Sequence, residues 1–277
     1  MLKTRIILIA ASAIVIWLIF LLPKAVVENE SQLKTADSVS HRTKDAHNTS
    51  GLTQAHASIP PSLAASLKAV KAAYSAASSE QKNAIFADSL QSLYTQAGQF
   101  DSAAMYGAQA ATFFNSTKSF QKVGNSYYEA YTFAMDAQKQ KTLAEKTREW
   151  LGKVIDAEPK NYEARIKVAM TYLSSGGPMQ GIRQLRDVIK EDPKNELALF
   201  NMGMLAVQSG QNSKAIDWLL QLAEVNPRHV QGQLLLGVAY LGDGKKTEAR
   251  QQFEKVKKLD NDPAVQATAD SYLKDLK

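Results

Sequence analysis

Three of the chain's four histidines, His41, His47 and His56, fall in one short stretch, with Asp45 between two of them. Imidazoles and a carboxylate so close are raw material for a metal site. Such a site also needs ligands held in place by a second shell. The surrounding Ser, Thr, Asn and Gln carry no sustained apolar period that could hold them, so the stretch reads as a polar linker and no metal is expected. The fourth histidine, His229, has no arguable acid, base or nucleophile as partner and reads as a solvated turn residue. GGPMQG at Gly176–Gly181 is glycine-rich but reads as a turn between two helices, not a phosphate loop. The absence of cysteine removes disulfides, thiolate metal sites and a cysteine nucleophile. No catalytic residue, cofactor or enzyme activity is expected.

The elements that would position any site follow from composition and pattern. The 277 residues are 45% apolar, enough to bury a core. The net charge of +6 is mild. Lys245, Lys246, Lys255, Lys257 and Lys258 cluster with little aromatic interleaving. They read as a solvated face, and no nucleic-acid partner is expected.

After the short tail 1–5, residues 6–22 (IILIAASAIVIWLIFLL) hold one polar side chain, Ser12. A helix of that length is about 25 Å long, at the short end of what spans a bilayer. The stretch reads as a transmembrane signal anchor. A cleaved signal peptide is the competing reading, against which Pro23 stands at a poor cleavage context. Lys3, Arg5 and the α-amino group before the span, against Lys24 and Lys34 after it with Glu28 and Glu30 contributing little, weakly favour an inside N-terminus. The expected protein is therefore a single-pass protein of the cytoplasmic membrane, attached by this helix, with its C-terminal domain on the periplasmic, extracytoplasmic side. Residues 23–60 read as a flexible polar tether. In 61–83, Leu63, Leu67, Val70 and Tyr74 share one helical face and mark an N-terminal helix of the folded body.

From Tyr162 the chain repeats every thirty-four residues. Small residues align at Ala169, Gly203 and Gly237, and again at Gly181, Ala215 and Ala249. Large apolar columns follow at Leu185, Leu219 and Phe253, then at Val188, Leu222 and Val256. The polar phrases EPKN, DPKN and NPRH close successive units at Pro159, Pro193 and Pro227. Each unit is thus a helix–turn–helix hairpin: small residues let two helices cross, Gly210 and Gly244 mark turns, and the prolines stop second helices.

This pattern resembles the tetratricopeptide repeat (TPR) family. It implies an all-α TPR solenoid of about five repeats over 84–263 (84–117, 118–161, 162–195, 196–229 and 230–263), with capping helices, behind the transmembrane helix. Unit 84–117 departs at Gln91, which stands in the first small column. Unit 118–161 is about ten residues long for the pattern, and its first helix is expected to absorb the excess. Residues 264–277 read as a C-terminal capping helix.

The resemblance also implies binding along the first helices, which line the concave side of such solenoids. Those helices carry a second apolar stripe beside the core stripe, formed by the columns Ile166, Phe200 and Leu234; Met170, Met204 and Val238; and Leu173, Val207 and Leu241. It would accept a hydrophobic or amphipathic protein or peptide segment. Burial by neighbouring helices, by the C-terminal tail or by a second copy in a homo-oligomer is the competing account. Some family members grip a peptide carboxylate with Lys, Arg and Asn; here Asn201 alone suits that role. The expected function is a non-catalytic membrane-anchored scaffold or chaperone-like accessory. The alternatives are a receptor for targeting sequences facing the cytosol and a partner subunit of an envelope hydrolase.

Overall fold

Repeat punctuation dictates where the helices break. The computed structural model describes residues 59–276, and among these there are twelve α-helices and no strand. They are α1 (Pro61–Ser75), α2 (Glu80–Gln96), α3 (Phe100–Phe114), α4 (Thr117–Phe133), α5 (Ala137–Ala157), α6 (Tyr162–Ser174), α7 (Pro178–Glu191), α8 (Glu196–Gln208), α9 (Asn212–Val225), α10 (Val230–Gly242), α11 (Lys246–Leu259) and α12 (Pro263–Asp275). The expected membrane span at 6–22 and all but the last two residues of the tether expected over 23–60 lie outside the described residues. No described helix is long and apolar enough to cross a membrane.

The chain divides into two compact units, with Ala249 the last residue of the larger one and Arg250 onward in the other. In the larger unit, α2/α3, α4/α5, α6/α7 and α8/α9 pair as hairpins. Each second helix also touches the first helix of the next hairpin, and the first helices α4, α6, α8 and α10 touch in succession. This is an all-α, TPR-like solenoid arrangement. One core patch joins Ile166, Ala169, Leu185, Val188, Ala198 and Met202 across α6, α7 and α8. The next joins Leu199, Ile216, Leu219, Leu222 and Leu236 across α8, α9 and α10.

The small columns do what their spacing predicts. A Cβ on Gly181 would sit 2.4 Å from the Ala169 carbonyl oxygen, and one on Gly203 would sit 2.6 Å from Leu219 Cδ2. Close crossing therefore requires glycine at both places. Gly210 and Gly244 both have positive φ in the turns after α8 and α10.

The polar phrases have two ends. Helices α5, α7 and α9 stop at Ala157, Glu191 and Val225, immediately before Glu158-Pro159, Asp192-Pro193 and Asn226-Pro227. The fourth residue then starts the next helix. Asn161 Oδ1 accepts from the Ala164 N–H at 3.1 Å, and Asn195 Oδ1 from the Ala198 N–H at 3.0 Å. The phrase is both a stop and an N-cap.

Three details depart from the sequence reading. Residues 61–83 hold α1, a break at 76–79 and the first turn of α2, not one helix. In the long unit both helices grow: α4 has 17 residues against 13 in α6, and α5 has 21 against 14 in α7. Most of the excess is therefore in the second helix. In the first hairpin the size order is reversed, with Gln91 buried against Gly107.

In the C-terminal unit, the Phe253 and Tyr272 rings stack at 4.7 Å between centroids. Gln266 Nε2 donates to the Lys257 and Asp260 carbonyls at 2.7 and 2.6 Å. The turn between α11 and α12 is thus closed by a side chain from α12.

Candidate binding face on the first helices

A helix that packs on two sides leaves one strip of side chains between its neighbours, and on α8 that strip is apolar. Leu197, Phe200, Met204 and Val207 recur at i, i+3, i+7 and i+10, one face of a helix. Leu197 is 41% exposed, and the other three are half-buried. On α10 the matching residues Leu234, Val238 and Leu241 are half-buried, as are Met170 and Leu173 on α6.

Ile166 and Asn201 do not share this face. Ile166 is 1% exposed and belongs to the core of α6, α7 and α8, whereas its column partners Phe200 and Leu234 are half-buried. Asn201 is 6% exposed, and its Nδ2 donates to the Leu197 carbonyl one turn back at 2.7 Å. Buried, and with one of its two N–H donors committed to its own helix, this amide presents little to a carboxylate. Met170, Phe200 and Val207 also pack partly on the core. The outward part of the stripe therefore rests on Leu197, Met204 and Leu173 with the α10 residues. Sequence columns did not find Leu197, because the same place in the flanking units holds Glu163 and Gln231; its helical spacing from Phe200 and Met204 was the available signal.

The face changes chemistry at α4. Gly124 meets Leu151 as Gly203 meets Leu219, and that alignment puts Gln121, Asn125 and Tyr128 where Phe200, Met204 and Val207 stand on α8. Asn161 Nδ2 donates to Gln121 Oε1 at 3.3 Å. The Lys167 ammonium donates to Asn125 Oδ1 at 2.9 Å and to Glu163 Oε1 at 2.6 Å, and lies 5.7 Å from the Tyr128 ring centre. Glu129 stands beside this network, and burial pushes its carboxyl above the usual range, with Lys167 opposing. Burial likewise raises the Tyr128 phenol. A polar, hydrogen-bonded section thus adjoins the apolar one.

At the other junction His229 is no solvated turn residue. It is half-buried, and its ring stacks on Phe200 at 5.2 Å between centroids and 26° between planes. Its Nδ1 accepts from the Gly232 N–H at 3.0 Å, so it caps α10 as the asparagines cap α6 and α8. The sequence signal was its alignment with Asn161 and Asn195.

No group of three or more His, Cys, Asp or Glu side chains that could hold a metal stands together among the described residues. Residues 167–224 and 200–264 match the tetratricopeptide repeat family. The matched segments cover α8, α9 and α10, the hairpins that carry most of the apolar stripe. No curated protein matches the sequence. Among solved structures, a MamA protein is similar over 66% of this chain and 95% of its own, at 18% identity and a TM-score of 0.48. A second MamA structure covers 61% and 94% at 19% identity and a TM-score of 0.48. YrrB, described as a TPR protein with an unusual peptide-binding site, covers 68% and 92% at 16% identity and a TM-score of 0.44.

Proposed function

We propose that this protein is a non-catalytic, membrane-anchored scaffold or chaperone-like accessory that holds protein segments against its first helices. The observation that carries this reading is the apolar strip of Leu197, Met204, Leu234, Val238 and Leu241, half-buried to exposed and adjoining the polar section on α4. An amphipathic segment, apolar at one end and hydrogen-bonding at the other, complements such a face. The apolar stretch 6–22 and its charge bias support placing the repeats beyond the cytoplasmic membrane.

Two measurements test the parts separately. The double substitution Leu197→Asp and Met204→Asp should abolish co-purification of partners while leaving the thermal midpoint within a few degrees. Global unfolding, or capture unchanged, would refute the face. External protease should reach the repeats only once the outer barrier of the cell is opened. Protection that persists until the cytoplasmic membrane is broken would favour the cytosolic receptor reading instead.

A further inference from the structure

The three N-caps of the matched repeats are alike in backbone and unlike in chemistry. Asn161, Asn195 and His229 have φ of −72°, −68° and −72°, and each side chain accepts the N–H three residues on. An amide oxygen accepts at any pH a protein meets. An imidazole Nδ1 accepts only while it is unprotonated, because the imidazolium carries N–H on both nitrogens. The third helical position differs as well. Ala164 and Ala198 fill the third helical position in the asparagine-capped helices, and Gly232 fills it in α10. A Cβ there would lie 3.2 Å from His229 Nδ1 and 2.6 Å from Leu222 Cδ2.

We propose that His229 is an acid-sensitive latch at the junction of α9 and α10, directly under the apolar face at Phe200. Protonation removes the cap acceptor and places a cation at the positive end of α10. The ring then has to leave Gly232, and with it the stack on Phe200. The surroundings favour the neutral ring. Burial pushes the imidazole below its ordinary value of 6.5, against a hydrogen bond to its own backbone and the charge of Glu196. Glu196, at the start of α8, is held by Asn226 Nδ2 at 2.8 Å. The other charged groups of the adjoining segments are Glu224 on the last turn of α9 and Arg228 in the turn itself, both exposed. On α10 itself the nearest residues, Val230, Gln231, Gly232 and Gln233, carry no charge. A neutral latch at pH 7.5 thus opens as the pH falls through the depressed value.

Hydrogen exchange of the full chain, read by mass spectrometry on peptides spanning 226–236 and corrected for intrinsic rates, compares wild type with His229→Asn. Asparagine already serves this position in two repeats, so the variant should fold; His229→Ser is a second acid-indifferent cap. At pH 8 all three should be equally protected. At pH 5 the wild type should lose about fivefold or more of its protection there, the scale of a lost cap, while both variants keep theirs. Unchanged protection in the wild type, or an equal loss in the variants, would overturn the proposal.

Discussion

The Gln91 amide occupies the space that Gly107 leaves open: a Cβ on Gly107 would lie 2.4 Å from Gln91 Nε2. In the later hairpins the first helix supplies the small residue and the second the large one, as with Gly203 and Leu219. Here the two exchange roles. Gln91 is 2% exposed and donates to Ser126 Oγ at 3.1 Å, so the amide also ties α2 to α4.

Gly107→Leu should therefore destabilise the protein by about 1–3 kcal/mol through overpacking. Gln91→Gly should cost a similar amount through the cavity and the lost hydrogen bond to Ser126 Oγ, which keeps its own bond to the Lys122 carbonyl. The double variant restores the order of the other hairpins and should recover at least half of the summed loss. Denaturant titration of the three variants gives the coupling.

Loss of an N-cap should be felt as a modest, local cost. Asn195→Ala removes the acceptor of the Ala198 N–H and should lower stability by about 1 kcal/mol. Asn195→Ser should restore most of it, which separates capping from side-chain size.

Acid should act in two separable windows. His229 is depressed below 6.5, mainly by burial, so its neutral form stabilises the fold above that value and the contribution is lost as pH falls through the folded value. Glu191 is held below the usual carboxylate range by two hydrogen bonds from the Arg165 guanidinium, each 2.7 Å. Its contribution is present above 4.5 and lost only as pH falls further. His229→Asn should remove the first loss from a plot of thermal midpoint against pH. Glu191→Gln should leave the first intact and flatten the second. The exposed pair should also weaken with salt, where the histidine step should not.

The repeat register, the hairpin pairing, the small columns and the proline stops were legible because each rests on spacing alone. Ala169 and Gly203 had to be small wherever the chain repeated. What escaped notice depended on partners in another helix. Gln91 looked like a defect because its compensation, Gly107, lies sixteen residues on in α3. Ile166 aligns with Phe200 and Leu234 yet is buried, since a column records residue type and not what the neighbouring side chains cover. The role of His229 rests on the backbone N–H of Gly232 and the ring of Phe200, neither of which residue type or spacing reveals.

Site-specific photocrosslinking tests the central claim most directly. A photoreactive residue at Met204, on the half-buried apolar strip, is compared in intact cells with one at Arg186, exposed on the second helix α7. The account predicts discrete protein adducts at 204 that vanish when Leu197→Asp is added, and none at 186. Adducts at 186 alone, or equal adducts at both that ignore Leu197→Asp, would contradict it.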